Sequence, residues 1–209
     1  MEKILNSAIA FLLLQLPLNA EFAVRSYYEI RGEGLIRQSY EESCGAASIA
    51  TLINNLDFKN ISEKDTLEQM KENNKDLNTD MVEQMKDKNN VFNTNMVSFK
   101  QLQDAAAKLG YESKGYQISR ELLNKLNIPV LVKIENDPRY PHFVVVINHP
   151  GDFITVLDPS FGKYISSKNE FYSVWDKNNQ GGYALILAPN NDFQRIYDIE
   201  LPSINLLEK

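Results

Sequence analysis

Apolar and polar positions alternate at helical spacing in the first half of the chain. Small and apolar side chains over residues 44–56 predict a buried helix, with Ser43 as a possible N-cap. Further helices are predicted over 99–109 and 119–126, each beginning at a serine N-cap. The polar segment 57–97 carries apolar residues at loose helical intervals, which predicts two surface helices joined near its middle.

The second half of the chain is rich in β-branched and apolar runs. Strands are predicted over 129–134, 143–147, 153–157 and 183–187. A short helix is predicted over 168–175, before the last strand. Helices therefore come first and antiparallel strands later, an order that is typical of an α+β fold in which a helix packs on an antiparallel sheet.

Two segments remain at the edges of this pattern. A short strand is predicted over 27–30, where two tyrosines precede an isoleucine. The polar stretch 191–209 is predicted to be a C-terminal tail and carries no assigned element. We therefore expect one compact domain over 21–190, a length that allows a sizeable core.

The N-terminus has the pattern of an export signal. Lys3 precedes an apolar stretch over 8–18, and a small residue, Ala20, closes it. The stretch is short for a membrane span and contains Gln15 and Pro17. Residues 1–20 are predicted to be a signal peptide, with a buried helix or an uncleaved anchor as the alternatives. We expect a periplasmic or secreted protein that meets the membrane only through this segment.

Composition narrows the function classes. The 209-residue chain has a net charge of -6 and no basic run with interleaved aromatics, so nucleic-acid binding is not expected. One cysteine allows no internal disulfide, and the two histidines and one cysteine, far apart, show none of the zinc-ligand spacings. No metal or other cofactor is implied.

Cys44 is the only cysteine, and it stands at the start of the predicted buried helix. A helix N-terminus favours the thiolate form of a cysteine, which is the nucleophilic form. Cys44 is therefore a candidate nucleophile. The alternative is a buried cysteine that acts as a small hydrophobic residue.

The predicted β-hairpin supplies a candidate base and a carboxylate to orient it. With residues 148–152 as the loop, Ile147 is predicted to face Phe153 across the ladder. The same register places His142 opposite Asp158 at the open end of the hairpin. A shift of one residue would put the two on opposite faces of the sheet. Each residue alone is also compatible with an ordinary strand or turn position.

Two further polar residues have different expected fates. His149 lies in the predicted hairpin loop and is expected to be exposed and without a role. Gln38 lies six residues before Cys44, and its side-chain amide is a candidate donor to an oxyanion, together with the Cys44 backbone N–H.

These residues form a pattern that resembles a known family. The chain is similar to the bacteriocin-processing cysteine peptidases, family thirty-nine of the papain-like enzymes, which cut leader peptides after a double glycine. The resemblance rests on Gln38 with Cys44-Gly45-Ala46-Ala47-Ser48, Pro141-His142-Phe143-Val144-Val145, and Asp158-Pro159 with Gly162. It implies a papain-like fold with Cys44 as nucleophile, His142 as base, Asp158 as orienting carboxylate and Gln38 as oxyanion donor.

Two departures bear on the substrate. Ser43 stands where many family members carry aspartate, and the sequence has no phosphate-binding loop of the G-x-x-x-x-G-K-[ST] type. The chain therefore resembles a stand-alone, exported branch of the family, similar to the accessory peptidase of the Fap functional-amyloid secretion system. This resemblance implies an exported protein or peptide as substrate, and a fibre or amyloid secretion machinery as partner.

The function expected from the sequence is an exported cysteine endopeptidase that works through a thioester intermediate. The alternative is a non-cleaving peptide-binding or secretion-accessory domain on the same fold. A related transferase or amidase would use the same thioester chemistry with a different acceptor, and the sequence does not separate transfer from hydrolysis.

Overall fold

The computed structural model describes residues 24–72, 97–137 and 140–188, in which helices pack on a six-stranded sheet. The helices are α1 Tyr27–Gly32, α2 Cys44–Asp57, α3 Glu63–Glu72, α4 Phe99–Lys108, α5 Arg120–Lys125 and α6 Lys168–Trp175. The strands are β1 Ser113–Ile118, β2 Val130–Asp137, β3 Tyr140–Asn148, β4 Phe153–Asp158, β5 Gly162–Ser167 and β6 Gly182–Leu187. The strand order is β1-β6-β2-β3-β4-β5, and every neighbouring pair is antiparallel.

Helix α2 lies against the middle of the sheet, and the side chains at its start are small. The Ser48 hydroxyl donates a hydrogen bond of 2.9 Å to the backbone carbonyl of Phe143 in β3. A Cβ atom added at Gly45 would lie 2.9 Å from Leu102 Cδ2 in α4. The helix start is thus held close to both β3 and α4.

The sheet is covered on both faces at its centre. Residues 143–146 are all buried, and successive residues of a strand point to opposite faces. On α6, the Trp175 indole N–H donates to the Tyr183 carbonyl at 3.1 Å. A Cβ at Gly182 would come within 2.2 Å of the Trp175 ring, so this contact requires glycine. The predicted helix over 168–175 is confirmed.

The register of the β3–β4 hairpin differs from the predicted one. Ile147 pairs with Thr155, two positions further along β4 than the predicted Phe153. Phe153 pairs instead with Ser167 of β5. The loop is centred on Gly151, whose φ of +87° is accessible at low cost to glycine, and this moves the turn by one residue.

The predicted direct opposition of His142 and Asp158 is therefore wrong. A shift of two positions keeps every side chain on its face, because side chains alternate with a period of two. His142 and Asp158 consequently share a face of the sheet as diagonal neighbours, a spacing that longer side chains can bridge.

The segment 27–30 is helical, so the predicted short strand is wrong. The Ser26 hydroxyl accepts the Glu29 backbone N–H at 3.2 Å, while the Glu29 carboxylate accepts the Ser26 N–H at 2.7 Å. This capping box starts α1 and outweighs the β-propensity of the two tyrosines that follow Ser26. Strands β1 and β5 were not predicted, because neither carries a run of β-branched residues.

Some predictions lie outside the described residues. Helix α3 confirms the first of the two predicted surface helices, whereas the second falls in 73–96. The predicted signal peptide 1–20 and the tail 191–209 are also outside. Within 24–72, 97–137 and 140–188, no helix has the length and apolar character to span a membrane.

Candidate active site

Cys44 is the first residue of α2 and is 8% exposed, with a free thiol. Ser43 occupies the N-cap position, but its side chain makes no capping hydrogen bond to the helix. Its hydroxyl instead donates to the Tyr40 carbonyl at 2.8 Å and closes the preceding loop. The possible side-chain cap at Ser43 is therefore not formed, and the positive end of the α2 dipole lies beside the thiol.

His142 and Asp158 are joined directly. His142 Nε2 lies 2.9 Å from Asp158 Oδ1, and the two side chains are 21% and 10% exposed. The same oxygen accepts the backbone N–H groups of Ser160 at 2.8 Å and Phe161 at 2.9 Å. The turn after β4 therefore fixes the carboxylate, and the carboxylate fixes one nitrogen of the imidazole.

The His142 ring is held in its charged form. Burial by itself lowers the pKa of His142, but the hydrogen bonds and negative charges of Asp158 and Cys44 outweigh it and raise that pKa to about 9. Since Nε2 faces Asp158, Nδ1 is the nitrogen left for the Cys44 thiol. The arrangement favours an imidazolium beside the Cys44 sulfur at neutral pH.

Asp158 responds in the opposite direction. Desolvation raises the pKa of Asp158, but the hydrogen bond and charge of His142, together with two backbone N–H groups, hold it below its usual range. The carboxylate is therefore ionised at neutral pH. It can orient the imidazole and stabilise its positive charge without taking the proton itself.

His149 lies at the turn end of the hairpin. Its ring Nε2 is 2.8 Å from the Thr155 hydroxyl, and its backbone carbonyl accepts the Lys168 ammonium at 2.9 Å. The side chain is exposed, as predicted. The structure thus brings together Cys44, His142 and Asp158, and leaves His149 bonded elsewhere.

Gln38 is held at both ends of its amide. Nε2 donates to the carbonyls of Tyr40 at 2.8 Å and Glu41 at 3.1 Å, and Oε1 accepts the Ser160 hydroxyl at 2.7 Å. The Gln38 backbone N–H donates to Pro159 at 3.0 Å, which places the residue beside the turn after β4. For Nε2 to donate to a substrate oxyanion, one of its two loop contacts has to be exchanged.

Sequence reasoning missed residues that support this loop. The buried Glu63 carboxylate, 6% exposed, accepts the Ser39 backbone N–H through both oxygens at 2.9 and 3.1 Å. Arg37 Nη1 donates to the Ser160 carbonyl at 2.9 Å. Glu63 lies in a polar segment where nothing in the pattern marks it as buried, and only its place at a helix start gave a signal.

No three His, Cys, Asp or Glu side chains in the described parts of the chain are grouped closely enough to hold a metal ion.

The sequence of the chain matches a known protein family. A sequence profile of the Peptidase C39 family matches residues 81–192, more than half of the 209-residue chain. The chain belongs to the Peptidase C39 family. The family assignment supports a cysteine-type peptidase, and the resemblance stated from the sequence is confirmed. The matched range contains His142 and Asp158 and begins after Cys44.

Among curated proteins, the chain is similar to the probable functional amyloid protease FapD of Pseudomonas fluorescens. The two are 28% identical over 154 residues, which cover 73% of this chain and 62% of FapD. The chain therefore spans less than two thirds of the length of this relative.

Solved structures agree on the fold. The peptidase domain of Streptococcus ComA, a bifunctional ABC transporter, superposes with a TM-score of 0.56 at 24% identity over 74% of this chain and 97% of that domain. A double-glycine-motif protease from an AMS/PCAT transporter, solved with a leader peptide, gives 0.54 at 22% identity over 74% of this chain and 90% of that chain. The predicted α+β, papain-like fold of the C39 peptidases is thereby confirmed.

Proposed function

We propose that the protein is an exported cysteine endopeptidase that hydrolyses peptide bonds of another secreted protein through a thioester on Cys44. The observation that carries the proposal is the continuous array from the α2 start to the turn after β4, in which His142 interacts with both Cys44 and Asp158. Membership of the Peptidase C39 family supports the same reading.

In the first half of the proposed reaction, the proton of Cys44 resides on His142 Nδ1. The Cys44 sulfur bonds to the scissile carbonyl carbon, and the carbonyl electron pair moves to oxygen. The Cys44 backbone N–H and the Gln38 amide donate to this oxyanion. Its collapse breaks the C–N bond, and the amine leaves with the proton from His142, so that the acyl group remains as a thioester.

In the second half, water attacks the thioester carbonyl while giving a proton to His142. The C–S bond breaks, the acid product leaves, and the thiolate–imidazolium pair is restored. Asp158 holds the imidazole orientation through both halves and stabilises the imidazolium without being protonated.

The substrate is proposed to be an exported subunit or assembly factor of a fibre or amyloid secretion system. FapD is named as a probable functional amyloid protease, and the AMS/PCAT protease was solved with a leader peptide. The similarity to FapD covers 62% of the FapD chain.

Export itself is proposed from the N-terminal segment. The apolar stretch over 8–18 and the small residue Ala20 favour cleavage that leaves Glu21 as the first residue. Mass spectrometry of the protein from its native host tests this. An intact Met1 in a cytosolic fraction would refute the export proposal.

A deletion strain tests the activity in the cell. We expect it to accumulate an unprocessed exported protein, identified by its N-terminus, that the wild-type gene processes again. Cys44→Ala should fail to restore processing, and His149→Ala, which changes the histidine outside the array, should restore it.

One observation favours the second candidate, a non-cleaving peptide-binding domain. Gln38 Nε2 donates to two loop carbonyls, so the proposed oxyanion donor is occupied. Full restoration of secretion by Cys44→Ala in the deletion strain would favour this candidate, because only the cleft and not the thiol would then be needed.

A further inference from the structure

Ser160, in the turn between β4 and β5, joins two parts of the site that lie far apart in the chain. Its backbone N–H donates to Asp158 Oδ1 at 2.8 Å. Its hydroxyl donates to Gln38 Oε1 at 2.7 Å, across 122 positions of sequence. We propose that Ser160 is a positioning residue that orients the Gln38 amide toward the oxyanion formed during acylation. This inference rests on the proposed function.

The contacts of Gln38 fix which end of its amide faces which partner. The nitrogen end meets the Tyr40 and Glu41 carbonyls, which accept hydrogen bonds and cannot donate them. The oxygen end therefore faces the Ser160 hydroxyl, which supplies the donor it needs. With Oε1 held by Ser160, Nε2 can exchange one loop carbonyl for a substrate oxyanion while the oxygen end of the amide stays in place.

The turn that carries Ser160 is itself fixed to the loop that carries Gln38. The Gln38 backbone N–H donates to the Pro159 carbonyl at 3.0 Å, and Arg37 Nη1 donates to the Ser160 carbonyl at 2.9 Å. At Gly162, a Cβ atom would lie 2.8 Å from Arg37 Nη2. These contacts lie on either side of the Ser160 hydroxyl. The position of Ser160 relative to Gln38 is therefore fixed by a backbone hydrogen bond and by the Arg37 side chain.

Ser160 touches the His142–Asp158 pair and Gln38 through different atoms, which makes the inference testable. Ser160→Ala removes the hydroxyl and keeps the backbone N–H to Asp158. Ser160 is exposed, so a substituted side chain of similar size has room there. Ser160→Thr keeps a hydroxyl, and Ser160→Val matches threonine in shape without it.

Two small probes separate the oxyanion step from the nucleophile. With p-nitrophenyl acetate, the Cys44 sulfur bonds to the ester carbonyl, an oxyanion forms, and nitrophenolate leaves with an acetyl thioester on the enzyme. With iodoacetamide, the sulfur displaces iodide from carbon and no oxyanion forms. A loss of Gln38 positioning should slow the first reaction alone, whereas damage to His142 or Asp158 should slow both.

We expect Ser160→Ala and Ser160→Val to slow acylation by about threefold to tenfold, the effect of one neutral hydrogen bond. Their alkylation by iodoacetamide should stay within about twofold of wild type, and Ser160→Thr should restore acylation. Ser173→Ala is the matched control, since its hydroxyl donates only to Glu170 within α6. That variant should leave both rates unchanged.

The coupling to Gln38 is measured by a double-mutant cycle in the full chain. Gln38→Ala should slow acylation by about 10²–10³, and adding Ser160→Ala should slow it no further. An equal effect of Ser160→Ala with and without Gln38, an equal loss with both probes, or no loss at all would overturn the inference. If Gln38→Ala itself acylates at the wild-type rate, the oxyanion role in the proposed function fails as well, which is a distinct result.

Discussion

His142 Nε2 lies 2.9 Å from Asp158 Oδ1, although the two residues are diagonal and not directly opposed in the β3–β4 ladder. The contact joins β3 to the last residue of β4. It also couples the charge of the imidazole to a carboxylate that two backbone N–H groups already hold. The turn after β4 positions the Asp158 carboxylate, and this carboxylate favours the positive charge of His142.

Asp158→Asn should lower the pKa of His142 from about 9 toward its ordinary value of 6.5, because the charge that favours the imidazolium is lost. The chain has two histidines, so an NMR titration resolves both, and His149→Gln assigns the signals. A His142 pKa that stays near 9 in Asp158→Asn would show that Asp158 does not hold the imidazolium.

The same charge makes stability depend on pH. Because the folded pKa of His142 is raised to about 9 from 6.5, its contribution to the free energy of unfolding is fully present below pH 6.5 and is lost as pH rises through about 9. Urea unfolding of wild type and His142→Gln should show a stability gap that narrows over this range.

The control for that measurement is Ser173→Ala, which removes a hydroxyl and no titratable group. Its stability gap to wild type should not narrow between these pH values. A gap for His142→Gln that stays constant or widens as pH rises would contradict the linkage.

The pairing of His142 with Asp158 was predictable because it requires only that both side chains lie on the same face of the sheet. An error of two positions in the register leaves that face unchanged. The loop centre was misplaced by one residue, yet the two-position shift kept both side chains on the same face. The contacts of Gln38 were not predictable. They depend on where the turn after β4 meets the loop before α2, which no local pattern of residues encodes.

Gly162 is predicted to be intolerant of a side chain. Its φ is +104°, and a Cβ would lie 3.0 Å from the Arg31 backbone carbonyl. Gly110 has a similar φ of +90° with nothing within 4 Å of a Cβ. A substitution there measures the cost of the backbone conformation without the cost of a steric clash. Gly110→Ala should lower the free energy of unfolding by about 1–3 kcal/mol, and Gly162→Ala by more.

Both costs are measured by urea unfolding. Because Gly162 pairs with Asp158 between β4 and β5, Gly162→Ala should also slow acylation of Cys44. Equal losses of stability in the two variants would show that the crowding around Gly162 relaxes without cost.

Glu63 is predicted to hold the loop between Gln38 and Cys44. Glu63→Ala leaves the Ser39 N–H without its acceptor and should lower the free energy of unfolding by about 1–3 kcal/mol. Glu63→Gln keeps an acceptor oxygen and should lose less. Urea unfolding measures both.

Glu68 is the matched control on the same helix. Its side chain is 55% exposed and its carboxylate lies 3.9 Å from the Lys64 ammonium, so Glu68→Gln should change stability by less than about 1 kcal/mol. If Glu63→Ala is as mild as Glu68→Gln, Glu63 does not secure the loop.

The helices were better predicted than the edges of the sheet. The α2 start at Cys44 and the serine caps of α4 and α5 are marked by local residues, and the structure has them. Strand β5 has little intrinsic β-propensity and forms because β4 pairs with it. The position of β5 beside Asp158 depends on pairing with β4, which the local sequence of β5 does not indicate.

The central claim is that Cys44 cleaves peptide bonds with His142 as its base. The most direct measurement is to incubate the secreted proteins of the native host with the purified full chain and to map new N-termini by mass spectrometry. We predict new termini with wild type and with His149→Ala, and a loss of several powers of ten in rate with Cys44→Ala and His142→Ala. The same new termini formed by Cys44→Ala at a rate near that of wild type would contradict the account.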